Sequence, residues 1–331
     1  MLWYLSLDTT PAKKMLGVLE ILKKGGDWVK ILEKVLKLRA YRYMLFSHNL
    51  STLDLIKVLK KLYIGEKPEK RLKHLYEEFS EYLNNIDAYY DFIETVELEK
   101  NKVLSEACRR ATTYLPEETE VVAKAYLVLG GSNAYGVNLI DTTAIVMNIA
   151  CFLNDINQLS AILGHELHHK AIGQYYREVY WRLSRSGSLD LRNVYRIVSE
   201  IVGEGVASLV ASPYAALRKY TQLRENIQKE YRKVEEGIIR AYEGSSQEAE
   251  EIFNKLYRNM GSIYMVGVDM SLQVENTLGK NKLVESLKDL STFTFFSNYM
   301  KAVDLKGEGY YYSSKTIEII SELKEKIINL L

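Results

Sequence analysis

Leu159-Ser160-Ala161-Ile162-Leu163-Gly164-His165-Glu166-Leu167-His168-His169 begins apolar and turns polar within a few residues. Read as a helix, it places His165 and His169 on one face about one turn apart, so that two imidazoles can grip a single ion. Glu166 is rotated away from that pair yet within reach of a water on the ion. Hydrolysis through an activated water needs this separation of roles, with neutral nitrogens on the metal and a carboxylate one step aside. The run fits His-Glu-x-x-His. Three histidines following an apolar segment that should be buried would be costly to desolvate without a partner, which weighs against a merely solvated polar helix. His168, three residues after His165, is an alternative to His169 as ligand. In the His165/His169 reading it is expected beside the ligands or partly exposed.

A catalytic zinc wants three protein ligands and an open position, and no histidine lies beyond His169. The next helical segment contains Ser199-Glu200-Ile201-Val202-Gly203-Glu204-Gly205-Val206-Ala207-Ser208. Two acids four residues apart in so apolar a helix share a face and need a reason to be there. Glu204 is the expected third ligand, and its flanking glycines are expected to let the two helices approach closely. Glu200 is a candidate to hydrogen-bond a ligand imidazole and fix its tautomer.

With those residues in view, His165-Glu166-Leu167-His168-His169 followed by Glu204-Gly205-Val206-Ala207 resembles the gluzincin zinc peptidases, whose third ligand is the Glu of a Glu-Gly-x-Ala segment. Gly164 and the extra histidine make it most similar to the less well characterised zinc-dependent peptidases of that group. The resemblance implies a zincin-like catalytic core with Zn2+ held by His165, His169 and Glu204, Glu166 as the catalytic base, and a peptide or protein substrate. It implies two further roles. An edge strand before the zinc helix would pair with extended substrate, a place that Thr142–Ala150 with Asn148 fits. A transition-state tyrosine in a Tyr-x-x-Gly segment corresponds to Tyr264 of Tyr264-Met265-Val266-Gly267, where a phenol stabilises the oxyanion. The resemblance spans roughly residues 120 to 280 and leaves out the N-terminal helices.

Outward from this core, residues 12–110 carry apolar positions at three- and four-residue steps between lysines and glutamates, the pattern of a helical bundle. The character changes near Thr112–Pro116. Val121–Leu129, Tyr135–Leu139 (after the turn Gly130-Gly131-Ser132-Asn133) and Thr142–Ala150 are candidate strands by their β-branched content and flanking turn residues. Helices are expected over 155–183 and 189–211, and again from 214 onward. The fold class that follows is mainly α with a small mixed β-sheet (α+β), organised as a helical N-terminal region, 1–115, and a zincin-like domain, 116–331.

Composition narrows the function. The 331 residues are 47% hydrophobic and 26% charged, with 44 basic and 43 acidic side chains and a net charge of +1. That balance gives no basis for a nucleic-acid or membrane-surface partner. Two cysteines are too few for a disulfide framework. Met1–Asp8 lacks the features of a secretory leader, and no run is long and apolar enough to span a membrane, so a cytoplasmic location is expected. The competing reading is a non-catalytic helical interaction protein with a structural or degenerate zinc site.

Overall fold

In the computed structural model, which describes residues 3–131, 134–137, 141–214 and 216–331, the chain starts with a strand that its sequence did not announce. This strand, β1 (Trp3–Asp8), turns Tyr4 to solvent and buries Leu7. It pairs in parallel with β2 (Val121–Val128), in register from Trp3 opposite Val121 to Asp8 opposite Tyr126. β2 pairs in parallel with β4 (Ala144–Asn148), and β4 pairs antiparallel with the short β3 (Ala134–Gly136). The order β1-β2-β4-β3 makes a small four-stranded mixed sheet in a mostly helical chain.

Two expectations about this sheet need correction. The strand read over Thr142–Ala150 is shorter, giving way to a 3-10 turn over Ile149–Phe152. It is also flanked on both sides, by β2 and β3, so its backbone is not the edge on which an extended substrate would add. Asn148 is occupied as well. Its amide donates to the Gly131 carbonyl (3.0 Å), its oxygen accepts from the Ala150 backbone (3.2 Å), and it is hydrogen-bonded with Tyr82. Ser132 and Asn133 of the turn, and Asn138 and Leu139 of the expected middle strand, lie outside the described residues.

Between β1 and β2 run α1 (Thr10–Lys23), α2 (Val29–Leu36), α3 (Arg39–Ser47), α4 (Thr52–Ile64), α5 (Lys73–Asn84), α6 (Ile86–Leu98) and α7 (Lys100–Thr112). Parallel pairing requires such a long crossover. Local signals fix these helices well. Pro11 sits in the first turn of α1, where its missing N–H costs nothing. A reciprocal Ser51–Asp54 capping box opens α4, and Gly65, left-handed at φ 72°, closes it.

After the sheet come α8 (Ile156–Arg185) and α9 (Leu189–Val210), followed by α10 (Ala216–Leu223), α11 (Ile227–Glu243), α12 (Ser246–Tyr257), α13 (Ser262–Leu278), α14 (Lys280–Ser286), α15 (Phe293–Lys306) and α16 (Ser314–Ile328). The chain forms two compact units. One comprises Leu2–Cys108 with Val121–Glu166, and the other Arg109–Glu120 with Leu167–Leu331. α8 is one uninterrupted helix that begins in the first and ends in the second.

Within the second unit α9 is the central element. Almost every residue from Val194 to Val210 is buried, as a helix apolar on all sides must be. Its last turn is closed by Arg110, whose guanidinium donates to the carbonyls of Val210 (3.2 Å) and Ser212 (2.7 Å). α9 crosses α13 at Gly205 and Gly267. A Cβ on Gly205 would lie 2.4 Å from the Gly267 carbonyl oxygen, and one on Gly267 would lie 2.3 Å from that of Ile201. Glycine is obligatory at both positions because backbone meets backbone there. Among the described residues, no helix is long and apolar enough to cross a membrane.

Candidate metal centre

α8 carries the first two candidate ligands. Leu159, Leu163 and Leu167 on this helix are fully buried, each such side chain contributing roughly 1.5–3 kcal/mol to burial. His165 and His169, both partly exposed, are one helical turn apart in the same unbroken helix, so helix geometry alone sets their relation. Glu204 comes from α9 and is 4% exposed. One donor atom from each of His165, His169 and Glu204 lies within 4.8 Å of the other two. His169 Nε2 and Glu204 Oε2 are 3.2 Å apart.

These separations suit a small cation. Zinc bonds of about 2.0–2.2 Å place neighbouring donors of a tetrahedral site about 3.4 Å from one another. Two imidazoles and a carboxylate are also the donor set such an ion takes when one position is kept open. Glu166, beside the first candidate ligand, is 8% exposed.

The glycines flanking Glu204 act differently from the sequence expectation. Only Gly203 faces the zinc-helix side, where a Cβ would lie 3.9 Å from the His169 ring, an ordinary contact. Gly205 serves the α9–α13 crossing instead. That crossing gives the Tyr264-x-x-Gly267 segment its meaning: with Gly267 against Gly205, Tyr264 sits one turn back along α13, level with Glu204. The Tyr264 hydroxyl donates to Glu204 Oε1 at 2.9 Å.

A second phenol, absent from the sequence reading, reaches the same atom. Tyr257, the last residue of α12, donates to Glu204 Oε1 at 2.9 Å. Burial, and then the Glu204 carboxylate, push both phenols far above their ordinary range, so each remains a proton donor to Glu204. The sequence around Tyr257 carries no spacing signal for this role, because it depends on the turn joining α12 to α13.

Two further residues stand near the centre. His168 is fully buried, not partly exposed, because the face of α8 that carries it points into packed side chains; its ring lies edge-on to that of His169, with centroids 6.4 Å apart. Glu200 interacts electrostatically with His169, one of the two candidate imidazoles. Burial and the neighbouring Glu204 push its carboxyl up to about 7, against the opposing influence of His169 and Arg196.

No curated protein and no solved structure matches the chain. A family model does, over residues 32–308, so that the N-terminal helices left out by the motif resemblance fall largely inside the match. With its two histidines and a glutamate gathered at one point, the chain belongs to the family described as "Putative zinc dependent peptidase (DUF5700)".

Proposed function

We propose that the chain is a zinc metallopeptidase of the gluzincin type, with His165, His169 and Glu204 as ligands and Glu166 as the general base. The observation that carries this reading is the meeting of three donor atoms from α8 and α9 within 4.8 Å, with a carboxylate next in sequence to the first of them. When bound, zinc supplies the Lewis acidity that polarises a scissile carbonyl and lowers the pKa of attacking water to about 7. Glu166 takes the proton of that water as it attacks and returns it to the leaving amine, the two halves of general acid–base catalysis. Tyr264 is the phenol for the oxyanion of the tetrahedral intermediate. In the resting site its hydroxyl donates to Glu204 Oε1, and it exchanges that bond for one to the developing charge.

The test is Glu166→Gln, assayed on a peptide library with bound zinc measured in parallel. Cleavage should fall by about 100- to 10,000-fold while zinc content stays at the wild-type level. Cleavage at the wild-type rate would overturn the assignment of Glu166.

A further inference from the structure

Glu204 receives more hydrogen bonds on one oxygen than burial alone requires. A carboxylate oxygen offers two lone-pair sites. Oε1 accepts from Tyr257 and from Tyr264, both at 2.9 Å, so its capacity is filled. Oε2 faces His169 Nε2 at 3.2 Å. The two oxygens therefore have separate tasks.

The local backbone is built to deliver Tyr257 to this point. Between α12 and α13 the chain turns through Asn259 and Met260, both left-handed, at φ 57° and 50°. Such conformations cost non-glycine residues on the order of 1 kcal/mol each. Gly261 follows, where a Cβ would lie 2.4 Å from the Leu256 carbonyl oxygen. Lys219 closes the turn by donating to the carbonyls of Asn259 (2.6 Å) and Met260 (2.8 Å). The Tyr257 ring stacks on Phe253, with centroids 5.2 Å apart and planes 18° apart. The Arg196 guanidinium, paired with Glu250, lies 3.8 Å from the centroid of the Phe253 ring. On the other side the ring of Tyr264 is 5.3 Å away. The phenol is held at both ends of its ring system and aimed by a strained turn.

We infer that Tyr257 is a positioning residue of the metal centre: by holding Oε1 of Glu204 together with Tyr264, it orients the carboxylate with Oε2 toward His169 and the ion. The inference rests on the reading of Glu204 as a ligand. Groups that orient ligands in this way tune metal affinity without touching the metal.

Tyr257→Phe removes the hydroxyl and keeps the stacked ring. Zinc affinity, measured by competition with a chromophoric chelator, should fall by about tenfold or more. In a Glu204→Ala background the same substitution should change affinity by less than about twofold, since its route of action is gone. An unchanged zinc affinity in Tyr257→Phe, where Glu204→Ala alone weakens binding, would overturn this inference and leave the ligand assignment standing. An equal loss in both backgrounds would also overturn it, since Tyr257 would then act through the fold. Zinc binding indifferent to Glu204→Ala would instead remove the ligand assignment on which the inference stands.

Discussion

Glu204 on α9 and Asp269 on α13 are both buried acids in the same helical unit, and each is served by two tyrosines. Their geometries differ. Asp269 accepts from Tyr220 on Oδ1 (2.5 Å) and from Tyr231 on Oδ2 (2.7 Å), with Gln273 adding a third donor to Oδ2 (3.0 Å). Both of its oxygens face inward to donors of the protein, as a carboxylate that ties helices together should. Glu204 takes both phenols on one oxygen and turns the other toward His169. Burial and hydrogen-bond count do not separate a structural acid from a candidate ligand here. The placing of the two phenols does: one on each oxygen of Asp269, both on one oxygen of Glu204.

That contrast can be broken by substitution. Glu204→Ala should weaken zinc binding by more than about 100-fold, beyond the loss expected for an orienting neighbour. Asp269→Ala should leave zinc affinity within about twofold and lower the unfolding free energy of the metal-free protein by about 3 kcal/mol, since two buried phenols lose their acceptor. Urea denaturation and chelator competition on both variants read the two effects, and a zinc defect in Asp269→Ala would erase the distinction.

A smaller effect sharpens the contrast from within α9. The folded-state value of Glu200, about 7, lies above the ordinary value of 4.5. A carboxyl raised in this way costs no stability below about pH 4.5. Its cost grows as pH rises toward about 7 and is complete above it. Glu200→Gln should therefore stabilise the metal-free protein by about 1–3 kcal/mol at pH 8 and leave it unchanged near pH 4. Equal stabilisation at both pH values would contradict burial of a titrating group.

The legibility of the molecule from its sequence follows the range of the interaction. His165, Glu166 and His169 are readable because four-residue spacing and helix geometry relate them within a single turn. Glu204 stands out, with Glu200, as an acid in the apolar second half of its helix. Gly205 and Gly267 are visible as glycines, but their partner is not: each was assigned by its neighbours in sequence, whereas the contact joins two helices about sixty residues apart. β1 went unread because six residues with little alternation make a strand only when β2 arrives to pair with them more than a hundred residues later. The edge reading of β4 failed for the same reason, since β3 offers only three residues yet covers its open side. Tyr257 depended on a turn through left-handed Asn259 and Met260, of which the methionine has no preference for that conformation.

The most direct test of the central claim is the metal content of protein purified without chelators, set against the His165→Ala/His169→Ala double variant, by elemental mass spectrometry. The geometry predicts about one zinc per wild-type chain and almost none in the variant. A wild-type chain that takes up no zinc on incubation with the metal, or a variant that holds as much as the wild type, would contradict it.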